Sequence, residues 1–302
     1  MQGQRTPAIS GIWLPLVTPF RDGELDEASV RRLVAHYAAQ PVDGLILAAT
    51  TGEGMTLDAA ETLRLVEVAA DAADGRLPLW LGLSGSDTRK MSATVEWTAG
   101  FPVEGYLIAC PYYSRPSQEG LYRHFAALAG RTERPVAVYN IPYRTGVNMT
   151  NDTLLRLAGD CSNVVGLKDC CADAAQSFDL LCRRPDGFAV LTGEDALLYG
   201  AVAQGADGGI LASAHIETAE WAAVRAALLA DDRGEALRRW PALERLARLL
   251  FSEPSPAAIK HWLWRAGLIA SPEVRLPMTG VSDALAARLD AEMARRGVAL
   301  AA

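Results

Sequence analysis

The chain has 302 residues, half of them hydrophobic and 22% charged. That length suits one α/β barrel with an appendage, and the composition supports a large buried core and argues against disorder. A net charge of −7 excludes nucleic acid as a general partner, because phosphate binding needs a surplus of Lys and Arg on one face; a local Arg or Lys can still dominate one anionic pocket.

The first residues, MQGQRTPAIS, lack the apolar core of a signal peptide. A first apolar, β-rich run covers 12–17. After the Asp22-Gly23 turn, Val30, Leu33, Val34, Tyr37 and Ala38 repeat at helical spacing. A strand at 44–48 then precedes a helix at 57–73, where Leu63, Val66 and Ala70 keep the period. The alternation continues with strand 78–83 and helix 88–99, strand 105–109 and helix 118–129, and strand 136–139 and helix 151–158. Strand 164–167 and helix 175–183, strand 188–191 and helix 195–204, and strand 208–212 and helix 218–229 complete it. The apolar runs are nearly continuous and too short for helices, as expected of strands buried on both faces of a parallel sheet. Eight strands, each followed by a helix, predict a closed TIM (β/α)8 barrel of the α/β class rather than an open sheet. From about residue 231 the pattern is helical only: 234–250, 256–265 and 283–296. The expected organisation is a catalytic barrel over 1–231 and a C-terminal helical extension over 232–302 packed on it.

No run of 18 uncharged apolar residues predicts a membrane span. The five cysteines (Cys110, Cys161, Cys170, Cys171, Cys182) are odd in number and form no CxxC motif. Reduced thiols and a cytoplasmic address are expected.

In a barrel of this kind the chemistry lies at the C-terminal ends of the strands. Strand 6 ends in Lys168, after the apolar Val164-Val165-Gly166-Leu167. Lysine is rarely buried without a partner, and desolvation favours its neutral, nucleophilic form, which condenses with ketones. The competing reading is a lysine ion-paired with Asp169 or with a carboxylate across the barrel. Tyr139 ends strand 5; a phenol there relays protons, or simply plugs the core. Thr50 and Thr51, at the end of strand 2, offer hydroxyls and backbone N–H groups to a carboxylate, or form an ordinary turn with Gly52 and Gly54. Arg144 either clamps a carboxylate or is a solvated loop charge. Glu53, Glu194 and Asp195 are expected to cap the helices that follow them. The four histidines have no metal-ligand spacing, so no metal is expected. His36 and His124 are expected on helix surfaces, His215 near the pocket, and His261 in tail packing. The TGEG turn lacks the residues of a phosphate-binding loop.

Taken together, ATTGE at 49–53, PYYSRPSQEGLYRHF at 111–125, YNIPYRTG at 139–146, GLKD at 166–169 and GGILAS at 208–213 resemble the dihydrodipicolinate synthase / N-acetylneuraminate lyase family. The resemblance runs from Gly11 to at least Ser213. It implies that Lys168 is the Schiff-base lysine that condenses with pyruvate and that Tyr139 shuttles protons at the imine. It implies that Thr50 links Tyr139 to a second tyrosine, Tyr113, which in the synthase branch serves a neighbouring subunit. Thr51 then holds the keto-acid carboxylate, Arg144 receives the second substrate, and Gly193 and Ile210 line the pocket around the ketone. A homotetramer, as a dimer of dimers, is implied, and the imine makes a cofactor unnecessary.

Tyr112-Tyr113 and Arg144 favour the synthase branch, which joins pyruvate to aspartate semialdehyde. Two segments depart from that pattern: Asp169-Cys170-Cys171-Ala172, and Leu211–His215 after strand 8. They border the second-substrate side and leave the aldehyde open. An aldolase or dehydratase of a 2-keto-3-deoxy sugar acid or an N-acetylneuraminate-type substrate keeps the same imine chemistry. A catalytically silent keto-acid-binding protein is the reading from another class, and the complete set of relay residues argues against it. At the family's lysine-feedback site the usual ligands are replaced by Ala59 and Lys90, so weak or absent inhibition by lysine is expected.

Overall fold

The computed structural model describes residues 9–171 and 173–298. Ala172, the first eight residues and the last four lie outside the described residues. Eight parallel strands close into a barrel: β1 (Gly11–Pro15), β2 (Gly44–Leu47), β3 (Leu79–Leu83), β4 (Gly105–Ala109), β5 (Val136–Asn140), β6 (Val164–Asp169), β7 (Ala189–Thr192) and β8 (Gly208–Ile210). Each neighbours the next in sequence, and β8 closes on β1. This is the predicted TIM barrel.

Around it run α1 (Glu27–Tyr37), α2 (Ala59–Ala73), α3 (Thr88–Trp97), α4 (Gln118–Ala129), α5 (Asn151–Asp160), α6 (Ala174–Arg183), α7 (Leu198–Ala203) and α8 (Thr218–Leu229). The starts of α1 to α6 are written locally. Asp26, Asp58, Asp87, Ser117, Thr150 and Asp173 each accept a backbone N–H of the first turn. Asp58 and Glu61 form a reciprocal capping box, which is why α2 begins at Ala59 and not at 57. The tail contributes α9 (Arg233–Leu250), α10 (Ala257–Arg265) and α11 (Asp283–Arg295). Leu243, Leu246, Trp262, Leu285 and Leu289 join the same buried cluster as the outer faces of the barrel strands, so the extension packs on the barrel. Among the described residues no helix is long and apolar enough to cross a membrane.

Inside the barrel a second apolar cluster includes Trp13, Ile46, Trp80, Leu107, Ala137, Leu191 and Ile210. Trp13 and Trp80 meet edge to face with centroids 5.6 Å apart. Their bulk is accommodated by glycines on neighbouring strands. A Cβ on Gly44 would lie 2.3 Å from the Trp13 ring, and one on Gly105 2.5 Å from Trp80. The lower barrel is therefore solid, and open space begins only toward the C-terminal ends of the strands.

Several sequence expectations need correction. β6 continues through Lys168 and Asp169, because the ladder to β5 pairs Tyr139 with Lys168 and Asn140 with Asp169. The helix expected at 195–204 splits into a 3-10 turn, Asp195–Leu197, and α7. β8 has three residues instead of five. A small antiparallel ribbon, Phe20–Arg21 with Glu24–Leu25, surrounds the Asp22-Gly23 turn. His124 is buried, not on the surface; its Nδ1 meets Thr88 Oγ1 at 2.8 Å, and burial lowers its pKa to about 4.

Candidate active site

Lys168 stands on β6 with its side chain inside the barrel mouth, 5% exposed. Its Nζ lies 4.3 Å from the centroid of the Tyr139 ring, carried by the adjacent β5. Burial pushes the lysine below its ordinary pKa and Arg144 adds to that; Cys170, Asp195 and Glu194 act the other way. Among the described residues no ion pair engages this amine, so pairing with Asp169 is not what holds it. Successive strand residues face opposite sides, and Asp169 instead accepts from the Cys171 N–H at 2.8 Å and from the Ser177 hydroxyl at 2.6 Å.

Gly193 follows β7 and is the reason the lysine fits. A Cβ there would lie 2.5 Å from Lys168 Cε and 2.4 Å from Cys170 Sγ. Ile210 on β8 is fully buried in the inner cluster beneath this level.

Tyr139 joins the lysine to a cavity of about 260 Å³ whose lining also includes Thr50, Tyr112, Arg144 and Thr145. Burial raises the phenol well above its ordinary pKa, and the nearby Cys170 and Tyr143 add to this; Arg144 and a hydrogen bond with Thr50 favour the phenolate. Thr50 and Tyr139 thus line one cavity. Arg144 belongs to a single helical turn, Pro142–Thr145, started by the proline and ended by Gly146 at φ 77°.

The loop after β2 brings Thr50 and Thr51 to the same rim. Thr50 is exposed and Thr51 buried. Among the described residues the backbone N–H groups of Thr51 and Gly52 meet no acceptor, which suits them to an anion. Tyr113 stands apart. It is 94% exposed with φ 68°, and its N–H donates to Thr145 O at 3.2 Å. A bulky aromatic held outward in the left-handed region is unusual for a lone surface residue.

The three acidic residues expected to cap helices do not do so through their side chains. Glu53 is buried against Lys260 and accepts the Arg275 N–H at 2.9 Å. Glu194 accepts the Tyr143 hydroxyl at 2.9 Å, and its nearby carboxylate helps to raise the pKa of the buried Cys170 thiol. Asp195 accepts the Ser213 N–H, and burial raises its pKa to about 6. Each is claimed by a partner distant in sequence. His215 packs behind the rim against Tyr37 and is not part of this cavity's lining. His261 pairs with Asp290 in the tail, as packing predicts.

The sequence places Cys170 only within a segment bordering the second-substrate side, and gives Lys260 no role at the site. Lys260 did leave a signal: the chain has only three lysines, and this one sits in the apolar run Ala257–Leu263. A second cavity of about 220 Å³ lies outside the barrel wall, with Asp169, Ser177, Tyr199 and Trp240 in its lining; β6 separates it from Lys168.

Comparison with known proteins agrees with this geometry. The model described as the dihydrodipicolinate synthetase family matches residues 8–295. The 4-hydroxy-tetrahydrodipicolinate synthase 2 of Clostridium acetobutylicum is 42% identical over 282 residues, covering 93% of this chain and 98% of its own. The dihydrodipicolinate synthase structure from Aquifex aeolicus superposes with a TM-score of 0.94 at 30% identity, covering 97% of this chain and 100% of that one. A structure described as the first monomeric dihydrodipicolinate synthase variant superposes with a TM-score of 0.92 at 32% identity, covering 96% and 97%. The chain, from the eighth residue to within α11, belongs to the dihydrodipicolinate synthetase family.

Proposed function

We propose that this enzyme condenses pyruvate with an aldehyde through an imine on Lys168, with aspartate semialdehyde the favoured partner, as in a 4-hydroxy-tetrahydrodipicolinate synthase. The observation that carries the proposal is a buried amine, without an ion pair among the described residues, beside a buried phenol at the mouth of the barrel. The neutral amine attacks the ketone carbon, and Tyr139 passes a proton to the departing hydroxyl, releasing water and leaving the imine. Loss of a proton from the methyl carbon gives an enamine. That carbon attacks the aldehyde, one C–C bond forms, and the new alkoxide takes a proton. Hydrolysis or internal attack by the product's amine frees Lys168. The imine is the electron sink, so neither metal nor nucleotide enters a step.

In this reading the N–H groups and hydroxyl at Thr51 take the pyruvate carboxylate, and Arg144 takes the carboxylate of the second substrate. Gly193 and Ile210 shape the space around the ketone. Thr50 connects Tyr139 to a tyrosine from a second copy. Tyr113, exposed and held outward, is suited to completing a neighbour's relay, which favours a dimer of dimers as the working assembly. One relative is described as monomeric, so sedimentation of this chain is the direct check on assembly.

A second reading keeps the imine and changes the partner to a 2-keto-3-deoxy sugar acid. Cys170, Tyr143 and Glu194 favour it, because they set hydroxyl-binding groups near Lys168. Turnover of that acid, compared with aspartate semialdehyde, separates the two.

Borohydride reduction with pyruvate, followed by peptide mass mapping, tests the shared chemistry. With three lysines in the chain, the outcome is unambiguous. A pyruvyl adduct on Lys168 is expected; an adduct only on Lys90 or Lys260, or none, overturns the reading.

A further inference from the structure

We propose that Lys260 and Glu53 are positioning residues, through which the C-terminal extension fixes the loop that receives the pyruvate carboxylate. The inference rests on the role given above to the Thr51 loop. Its starting point is composition. The chain uses arginine for nearly all its positive charge, with three lysines among 29 basic residues. One of those three, Lys260 on α10, is completely buried. Burying a charge far from the reacting atoms is unfavourable unless its partners are well placed.

Those partners all bear on one loop. Lys260 Nζ donates to Glu53 Oε1 and, at 2.7 Å, to Glu273 O, and it lies 4.3 Å from the Phe20 ring centroid. The other oxygen of Glu53, Oε2, accepts the Arg275 N–H at 2.9 Å. The Arg275 guanidinium then donates to Thr56 O at 3.0 Å, to Gly23 O at 2.6 Å and to Glu61. Both carboxylate oxygens of Glu53 are thus held by the tail. Glu53 itself lies two residues after Thr51, with φ 51°. A non-glycine residue stays in that region only where its surroundings over-determine it. Here they do: its N–H donates to Thr50 O at 3.1 Å, and Gly54 donates to Ala49 O at 3.2 Å.

The consequence is mechanical. If Glu53 loses its hold, its backbone is free to leave the left-handed region, and the peptide units of Thr51 and Gly52 turn with it. Their N–H groups, which meet no acceptor among the described residues, then no longer converge on one anion. Neither Lys260 nor Glu53 touches substrate; their effect is on how well pyruvate is held.

The experiment compares the full-length wild type with Glu53→Gln and with Glu53→Gln/Lys260→Met. It reads the pyruvate concentration that half-saturates borohydride trapping at Lys168, the trapping rate at saturation, and the KM of each substrate. The double variant removes both buried charges together, leaving no stranded ion. Its half-saturating pyruvate is expected to rise about tenfold, with the saturated rate and the aldehyde KM changing about twofold or less, as loss of ground-state binding requires. Glu53→Gln keeps the shape and one acceptor oxygen, and is expected to lie between wild type and double variant. Unchanged pyruvate dependence in a cooperatively folded variant overturns the proposal. So does a loss confined to the saturated rate. Should the double variant fail to fold, Glu53→Gln decides alone by the same criteria. No adduct on Lys168 in the wild type would instead sink the imine reading, and this inference with it.

Discussion

At the scale of single residues, reactivity follows from what surrounds one amine. Lys168 is uncommon among lysines in being buried with no carboxylate ion pair among the described residues, and burial is the first cause of its lowered pKa. Gly193 makes that placement sterically possible. We predict that Gly193→Ala leaves the barrel folded, because the obstructed atoms are Lys168 Cε and Cys170 Sγ and not backbone. The displaced amine should cost roughly 100-fold in kcat, as a misplacement of about 1 Å does elsewhere. Adding Cys170→Ala vacates the space that Sγ occupied and should restore part of the loss. Rates and melting temperatures of the single and double variants check this; a fully active Gly193→Ala enzyme refutes it. Lys168 itself was legible in the sequence, since four apolar strand residues directly before a lysine carry its amine to the rim of a barrel. Cys170 was not, because its importance depends on which atoms Gly193 leaves room for.

At the scale of elements, helix starts are local and loop ends are not. Asp58 and Glu61 cap α2 within one turn, and that pattern can be read from the chain. Glu53, Glu194 and Asp195 resemble caps by the same rule, yet bind Lys260, Tyr143 and Ser213. A carboxylate before a helix prefers its own N-terminus only when no stronger partner is near. The same elements carry the regulatory expectation. Ala59 opens α2, and Lys90 lies in the first turn of α3, whose Asp87 cap accepts its N–H. Both are exposed. A methyl group and an ammonium offer nothing to a cationic effector, and the ammonium repels it. Initial rates should therefore be insensitive to lysine up to millimolar concentrations; clear inhibition below that range contradicts the prediction.

At the scale of the whole molecule, buried titratable groups tie stability to pH. His215 sits between the loops after β1 and β8. Its Nε2 receives the Val17 N–H at 3.2 Å, and its Nδ1 contacts Ala212 O at 2.7 Å. Those partners assign a neutral ring with the proton on Nδ1. Burial lowers its pKa to about 4 from 6.5, against a smaller raising effect of the Ala212 carbonyl. The unfolded chain therefore binds a proton that the folded chain refuses between those values, and folding weakens as pH falls through that window. Complete passage corresponds to about 3 kcal/mol. Asp195, raised to about 6 from 3.8, has the opposite sign: its folded form gains relative stability below 6. The clean measurement is thus a difference. His215→Asn should show a flatter dependence of the denaturation midpoint on pH between 6.5 and 4 than the wild type. Parallel curves would contradict the assignment.

The sequence alone determined the alternation of strands and helices, the barrel that follows from it, and the amine at the end of the sixth strand. Periodicity, apolar runs and capping residues act over a few positions, and those positions are adjacent in the chain. Only the tertiary structure decided that Gly193 clears space for Lys168, that Glu53 answers to the tail, and that His124 is interior. These depend on contacts between elements far apart in the chain, such as the 207-residue separation of Glu53 and Lys260. No local pattern encodes which of several carboxylates a buried cation will meet, because close packing decides that only after the barrel has closed.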